Sequence, residues 1–501
     1  MKGPHNPLCQ WPAIWYAGGM NTPFAGSAAS GADIILPDSN PVFGLELRGF
    51  EPIPGAERNM GLGQIAPLWL AVNMNLVCIT LGCLTVATGL NLWMALAACV
   101  VGNIPFLLLG HASVGAARLG LPVTTLSRAA YGTRGNVLHA GLTWLASVCY
   151  EALNTVFGVL AWLSLSGLLG WDNHSVGVKL AAVAVQLAIG GGVAVLGHAT
   201  MVWLQRVFTA LLGIVLLMVL GATLNTAARH GLTPPHAPAV TGWSAAAAFM
   251  TACGLIASQP ISYLYNGPDW VRYLPLDTPA RSITRRVFWW TFLPCLVLTG
   301  MGALWASLGD MSDPVAGLAP LLPRWLYILF ILAVIAGSVA NNAPTFYSSG
   351  LSLQATGVRL SRWSATALDI AISTLAVLYI LFVQDLTTVL NNFIALLIAW
   401  SGPYAGVWLA DGMRRGWRLE LGDIHRISGD ARPVAGWRAP AWIAFGTGLA
   451  VAVATMKSPA FTGPVAAALG GMDLSWLLGF SVTALTYLAI AQVNSPRLGA
   501  N

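Results

Sequence analysis

Apolar residues recur along the chain in twelve long runs that are separated by short polar or charged stretches. An α-helix needs about 20 apolar residues to cross a bilayer, and each run is of that order. The pattern therefore predicts twelve membrane-spanning helices, at residues 63–89, 92–117, 136–168, 177–198, 201–226, 243–266, 287–308, 324–355, 363–383, 388–411, 438–457 and 474–493.

Composition supports an all-α integral membrane protein. The chain of 501 residues is 56% hydrophobic and only 8% charged, with a mean hydropathy of +0.70, whereas soluble domains carry about 25% charged residues. A membrane β-barrel would show alternating segments of about ten residues, but these runs are continuously apolar. Residues 1–60 are polar and rich in Gly, Pro and Ser, which predicts a partly disordered N-terminal tail before a membrane-spanning domain at 61–493 and a short C-terminal tail at 494–501.

The basic residues are distributed unevenly between the two ends of the predicted helices. With the N-terminus placed in the cytoplasm, only Lys179, Arg229, Arg324 and Lys457 of the 24 Lys and Arg fall on the outer side. Basic residues concentrate in cytoplasmic loops of membrane proteins. The pattern predicts a multi-pass protein of the plasma or inner membrane with both termini in the cytoplasm.

Cysteine and histidine spacing indicates neither a metal site nor a redox site. The seven cysteines include no C-x-x-C pair, and the eight histidines are scattered,. We therefore predict no metal or redox cofactor, no nucleic-acid partner and no catalytic residues; the sequence indicates no particular oligomeric state.

Polar residues and helix breakers interrupt the first and the sixth apolar runs. Asn73 lies in the first run, and the sixth contains Gln259 between Gly254 and Pro260. Transporters commonly unwind two helices near the middle of the bilayer, one in each inverted half, to hold substrate and ion. We expect both helices to be interrupted at these residues. The alternatives are that Asn73 only forms a hydrogen bond to a neighbouring helix and that Pro260 only kinks its helix for packing.

Glu151 lies near the middle of the third run, where an ionised carboxylate costs several kcal/mol unless it is paired, hydrated or protonated. Tyr150 and Asn154 are four residues apart and share a helix face with it. We interpret these three residues as a polar seam with an aromatic ring, suited to a flat ligand. A structural bond to a neighbouring helix is the alternative for Glu151.

The eighth run carries Ser338, Asn341 and Asn342. An amide side chain donates and accepts hydrogen bonds together, which is what the edge of a nucleobase or ureide needs. These residues predict part of a ligand site, with the alternative that the Asn side chains only join helices.

Several segments resemble, in order, those of the nucleobase:cation symporter family, in particular its purine-cytosine permease branch. The resembling segments are GLELRGFEPIPGAERN before the first run, LSRAAYGTRGN, PDWVRYLP after the sixth run, ANNAPTFYSSGLSLQATG and LNNFIALLIAWSGPYAGVWLAD. The resemblance implies a LeuT-like fold with a five-plus-five inverted repeat, at 63–226 and 243–411, and two additional helices at 438–493.

The resemblance also implies roles for individual residues. It assigns Tyr150 to stacking on the substrate, Asn154 to a substrate amide, and Asn341, or Asn342 if the register slips by one, to a second amide. Tyr263 is the candidate for a second stacking ring. Sodium-coupled members place paired hydroxyls on the eighth helix, where this chain has only Ser338, so Glu151 is the candidate for proton coupling and sodium remains the alternative.

The leading hypothesis is therefore import of a nucleobase, cytosine or a purine, with a proton or sodium by alternating access. A permease for allantoin or hydantoin-type ureides is the close alternative. A membrane sensor or an integral-membrane enzyme that uses Glu151 is the alternative from another class.

Overall fold

The computed structural model describes residues 52–194, 198–232, 240–358, 360, 362–419 and 436–493. The fold is all-helical within these residues, apart from one isolated β-bridge between Lys457 and Thr462. The helices up to the middle of the chain are α1 Ile65–Asn73, α2 Leu76–Ala87, α3 Leu92–Asn103, α4 Phe106–Leu119, α5 Val123–Leu126, α6 Arg128–Tyr131, α7 Gly135–Leu168, α8 Val176–Ala194 and α9 His198–His230.

The remaining helices complete the pattern of apolar runs. They are α10 Gly242–Tyr263, α11 Ala280–Ala306, α12 Arg324–Ala355, α13 Arg362–Phe382, α14 Leu386–Arg414, α15 Ala439–Thr455, α16 Pro464–Ala468 and α17 Ser475–Val493. Nine helices of the described part are long and apolar enough to cross a membrane, or ten when the bent pair α1 and α2 counts as one span. Two shorter apolar helices, Val176–Gly192 and Ala439–Thr455, lie at the remaining predicted segments, so every predicted run contains a helix. The predicted tails at 1–60 and 494–501 lie mostly or wholly outside the described residues.

The first span is broken, as expected, and one side chain serves both sides of the break. The helices α1 and α2 meet at 55°. Asn75 has an extended backbone at the break, and its side-chain oxygen accepts from the Cys78 N–H at 3.1 Å, which caps α2,. Its amide nitrogen donates to the Val72 carbonyl at 2.7 Å. Asn75 thus satisfies one backbone group that each half-helix leaves free.

The sixth span differs from the prediction. Helix α10 continues through Gly254 and Pro260 to Tyr263, and a turn and a 3₁₀-helix at Gly267–Val271 follow it. A Cβ on Gly254 would lie 2.8 Å from the Trp476 side chain, so this glycine allows α17 to pack closely. The irregular backbone therefore begins after Tyr263, not at Pro260.

Two groups of helices face each other across the centre of the molecule. In the first helix group, α2 packs against α10 and α11, and α1 packs against α11; in the second helix group, α7, α8, α12 and α13 pack against one another. Small residues bring α2 and α11 together, since a Cβ on Gly82 would lie 1.9 Å from the Thr299 carbonyl oxygen and one on Gly302 would lie 1.9 Å from that of Ile79. Close backbone approach at small residues is typical of membrane helix packing.

Candidate functional site

A small cavity lies between the two helix groups, beside the break in the first span. Its lining residues are Asn75, Val77, Leu81, Tyr150, Asn154, Gln259, Ser262, Tyr263, Tyr265, Asn266, Asn341 and Thr345. The cavity has a volume of about 30 Å³, similar to the volume of one water molecule in the liquid. A heterocyclic ring is several times larger, so the two helix groups must separate for such a ligand to enter.

Five of the predicted ligand residues lie at this cavity: Tyr150, Asn154, Gln259, Tyr263 and Asn341. The i, i+4 spacing of Tyr150 and Asn154 on α7 puts both side chains on the face towards the cavity. The Tyr150 ring packs edge-on against Phe393, with 5.0 Å between ring centroids. The Tyr263 ring contacts Trp69 and Trp270 in the same way. Both tyrosines are thereby fixed in orientation beside the amides.

The amides on the second helix group form a chain that reaches the broken first span. The Asn154 amide nitrogen donates to the Asn341 side-chain oxygen. The Asn341 amide nitrogen in turn donates to the Val72 carbonyl at 2.6 Å. Asn154 and Asn341 therefore link α7 and α12 to the free end of α1.

Two acceptors at the cavity have no hydrogen-bond partner among the described residues. The Gln259 amide nitrogen donates to the Asn73 side-chain oxygen at 3.2 Å and to the Cys78 sulfur at 2.8 Å, but the Gln259 Oε1 atom is buried without a partner. The Asn266 Oδ1 atom is also buried and unpartnered. A buried unsatisfied acceptor costs about 1–3 kcal/mol, and a ligand donor in the cavity would remove that cost.

The other predicted site residues lie away from the cavity lining. Asn73 binds within the first helix group, because its amide nitrogen donates to the Trp69 carbonyl at 2.7 Å and its oxygen accepts from Gln259 and from the Cys295 thiol. Asn342 donates to the Glu151 carbonyl at 3.2 Å and to the Thr155 hydroxyl at 3.1 Å. Both therefore join helices in this structure.

Glu151 does not share the seam with Tyr150 and Asn154. It is fully buried, it is absent from the cavity lining, and neither of its carboxyl oxygens has a partner among the described residues. Consecutive helical residues point about 100° apart, so the face that carries Tyr150 towards the cavity turns Glu151 towards α12 and α13.

The Ser338 hydroxyl makes two hydrogen bonds in this structure. It donates to the Ile335 carbonyl at 2.8 Å and accepts from the Gln186 amide nitrogen at 2.6 Å. No group of three or more His, Cys, Asp or Glu in the described part of the chain could hold a metal ion.

The segment after α10 contacts other helices at one end of the bundle through buried polar side chains. The Asp269 carboxylate accepts from the Val123 N–H at 2.7 Å, and Arg272 donates to the Tyr347 hydroxyl at 3.0 Å. Burial raises the pKa of the Asp269 carboxyl to about 7, although the Val123 N–H and the Arg272 charge act in the opposite direction.

Sequence reasoning missed several residues at the site. Tyr265, Asn266 and Thr345 line the cavity but were not predicted. Thr345 could have been found, because it lies four residues after Asn341 on the same helix face. Tyr265 and Asn266 could not, because their position depends on where α10 ends.

A family profile described as "Permease for cytosine/purines, uracil, thiamine, allantoin" matches residues 52–479. Among similar proteins, the YxlA protein of Bacillus subtilis is 25% identical over 470 residues, which cover 91% of this chain and 97% of that protein. The purine-cytosine permease fcyB of Emericella nidulans is 24% identical and covers 89% of this chain and 88% of its own length. The hydantoin permease of Microbacterium maritypicum is also 24% identical, over 83% of this chain and 86% of its own length.

One similar solved structure is that of Mhp1, a nucleobase-cation-symport-1 family transporter, in a closed conformation with bromovinylhydantoin bound. The two structures superpose with a TM-score of 0.70 at 20% identity, over 89% of this chain and 95% of Mhp1. This likeness confirms the predicted fold class, a multi-span helical membrane protein of the LeuT-like type. The exact limits of the two repeats stay a prediction.

Proposed function

The chain belongs to the family of permeases for cytosine/purines, uracil, thiamine and allantoin, and on this premise we propose that it imports a nucleobase, cytosine or a purine, by alternating access together with a proton. It is a transporter and not an enzyme. The imported base binds in the cavity between the two helix groups, where Tyr150 and Tyr263 pack against the ring and Asn154, Gln259 and Asn341 bind its edge.

The observation that carries this proposal is the set of hydrogen-bonding groups at the cavity. Gln259 Oε1 and Asn266 Oδ1 are acceptors without partners in the part of the chain that the structure describes, and a nucleobase offers ring and exocyclic N–H donors to such acceptors. Tyrosine rings supply flat apolar surface on which a heterocycle stacks. The cavity thus combines the two features that a planar polar ring needs.

A proton suits this chain better than sodium as the coupling ion. Sodium needs several oxygen ligands, but the Ser338 hydroxyl already makes two hydrogen bonds and the Val72 carbonyl already accepts from both Asn75 and Asn341. Glu151 is a buried carboxyl group with no hydrogen-bond partner among the described residues. A carboxyl group in such surroundings takes up a proton readily.

A ureide of the hydantoin or allantoin type is the second candidate substrate. The hydantoin permease of Microbacterium maritypicum is about as similar to this chain as the purine-cytosine permease is. Ureides present the same alternation of N–H and C=O groups as a nucleobase, so the cavity amides would accept either class.

Uptake of labelled compounds by cells that express the chain tests the substrate. The panel comprises cytosine, adenine, guanine, uracil, allantoin and hydantoin, with cells carrying an empty vector as the control. We expect saturable uptake of a nucleobase that an excess of the same unlabelled compound abolishes. Uptake of a ureide alone would establish the second candidate, and uptake of none would contradict both.

A further inference from the structure

Two buried carboxyl groups lie together inside the second helix group. Glu151 on α7 and Asp369 on α13 are both 0% exposed, and the Ser349 side chain of α12 contacts both carboxyl groups. Neither residue lines the cavity. Asp369 was not singled out by the sequence analysis, although it is a carboxyl group within an apolar span, where ionisable residues are rare and functional.

The two carboxyl groups have unequal surroundings. Asp369 accepts hydrogen bonds from the Trp144 indole N–H at 2.6 Å and from the Ser349 hydroxyl. The Ser349 side chain also lies next to the Glu151 carboxyl, but neither Glu151 oxygen has a hydrogen-bond partner in the described part of the chain. Asp369 is therefore the better site for a negative charge, and Glu151 the better site for a proton.

The titratable groups that interact with Glu151 in the described part of the chain are acidic or neutral. Besides Asp369, the titratable groups that interact with Glu151 are Cys149 on the same helix and Tyr265 after α10. The ion pairs found among the described residues involve Asp411 and include neither of the two carboxyl groups.

Two basic residues of neighbouring helices act elsewhere. On α8, Lys179 lies over the Phe382 ring, thirteen residues along α13 from Asp369, which is about 20 Å at 1.5 Å per residue. On α6, Arg128 donates to the Ala355 carbonyl at the end of α12, about 9 Å along that helix from Ser349. The described contacts of Lys179 and Arg128 therefore lie away from the two carboxyl groups.

Two adjacent buried carboxyl groups cannot both ionise without a large cost, so such a pair holds one proton between them. We propose that Glu151 and Asp369 form the binding site of the coupling proton, with Glu151 protonated and Asp369 held as a carboxylate by Trp144 and Ser349 in the conformation seen here. The proposal rests on the proposed transport function and adds to it a second carboxyl group and a location outside the substrate cavity. The proton binds to a carboxylate oxygen and leaves from it, with no other bond made or broken.

Hydrogen bonds connect this site to the cavity. The Glu151 carbonyl accepts from Asn342 and from the Thr155 hydroxyl. Asn341, the residue before Asn342, lines the cavity and holds the Val72 carbonyl, and Tyr150, the residue before Glu151, lines it as well. A change in the charge of the carboxyl pair that shifts α7 against α12 would therefore move groups that bind the substrate.

Separating net transport from exchange tests the proposal. The wild-type protein and the E151Q and D369N variants are reconstituted into vesicles, and the labelled base identified by the uptake panel is followed in two assays. Uptake driven by a pH gradient requires proton movement, whereas exchange of internal for external base at equal pH does not. We expect gradient-driven accumulation to fall about tenfold or more in both variants, because the proton no longer drives the substrate, while exchange persists.

Three further variants act as controls. Asp473 is also buried and accepts from the Ser475 hydroxyl at 2.6 Å, but it lies outside the spanning helices, so D473N should keep both activities. The conservative E151D and D369E variants keep a titratable group and should recover part of the accumulation.

Several outcomes would overturn the proposal. It fails if D369N accumulates base like the wild type. It also fails if well-folded E151Q and D369N proteins lose both exchange and accumulation, while E151D and D369E restore neither activity. If the charge-removing variants do not fold, the test is the pH dependence of accumulation by D369E. A pH profile identical to that of the wild type would contradict the proposal that Asp369 belongs to the proton site. A wild-type protein that neither exchanges nor accumulates any compound would instead refute the proposed transport function.

Discussion

Gln259 joins the packing of the first helix group to the chemistry of the cavity. Its amide nitrogen is held by Asn73 and by the Cys78 sulfur, which leaves its oxygen unpartnered at the cavity. Both donor positions are thus used for orientation, and the acceptor remains for a ligand. This division of roles explains why an amide, and not a hydroxyl, suits the position.

We expect the Q259A variant to raise the KM of the imported base by about tenfold, equivalent to about 1.4 kcal/mol, because one ligand hydrogen bond is lost. The measurement is the concentration dependence of uptake. The control is Q384A, in the connection between α13 and α14, which should leave KM unchanged. An unaltered KM in Q259A at normal expression would show that its oxygen does not bind the substrate.

Asp269 should make stability depend on pH. The pKa of its carboxyl is raised from 3.8 to about 7 by burial, so between these values the folded protein keeps a proton that the unfolded chain releases. Its contribution to the free energy of unfolding is fully present below about pH 4 and is lost as the pH rises towards 7. We expect D269N, which keeps an acceptor for the Val123 N–H, to show a smaller fall in unfolding temperature than the wild type over this range.

Thermal unfolding of both proteins in detergent at a series of pH values checks this expectation. Equal slopes for the wild type and D269N would contradict it. The comparison between the two proteins isolates Asp269, because all other titratable groups are shared.

For individual residues, the sequence predicted which residue types form the site better than it predicted which way their side chains point. Tyr150, Asn154 and Asn341 reach the cavity because their helices were placed correctly and the 3.6-residue period orients them. Glu151 and Asn342 do not, since one step along a helix turns a side chain by about 100°. Which of two neighbours faces the ligand depends on how the helices pack, and the sequence alone does not specify that packing.

The break in the first span and the end of α10 are the two irregular elements that form the cavity. Asn75 makes the first break predictable, because Asn is a strong N-cap residue. Pro260 misled the prediction of the second. A proline within a membrane helix is tolerated when neighbouring groups satisfy the freed carbonyl, and here α10 continues past it to Tyr263.

Contact between α2 and α11 should be sensitive to a single methyl group. A Cβ on Gly302 would lie 1.9 Å from the Ile79 carbonyl oxygen, whereas one on Gly221 of α9 would meet nothing within 4 Å. We expect G302A to lower the free energy of unfolding by about 1–3 kcal/mol, as overpacking does, and G221A to leave it close to the wild-type value. Thermal unfolding in detergent measures both, and equal effects in the two variants would contradict the packing described here.

The order of the apolar helices could be predicted over the described residues because each run must cross the same bilayer thickness. Helix limits were less predictable, as α11 begins at Ala280 and not at 287. Its first turns carry Arg281, Arg285 and Arg286, so the helix extends beyond the apolar run that was used to place it.

The distribution of basic residues predicts the orientation of the protein in the membrane. Asp172, between α7 and α8, should lie outside the cell, and Arg281, at the start of α11, should lie inside; both are exposed. We expect a D172C variant to react with a membrane-impermeant maleimide on intact cells and an R281C variant to react only after permeabilisation, with the unmodified protein as the control for its own cysteines. The reverse pattern would contradict cytoplasmic termini.

Accumulation of labelled nucleobase by vesicles that contain only the purified protein tests the central claim most directly. A pH gradient and a sodium gradient are imposed separately, with protein-free vesicles as the control. A proton-coupled importer should concentrate the base above its external level with the pH gradient, acidic outside, and should not do so with the sodium gradient alone. Accumulation that requires sodium and ignores the pH gradient would contradict the account, as would entry that never exceeds the external concentration.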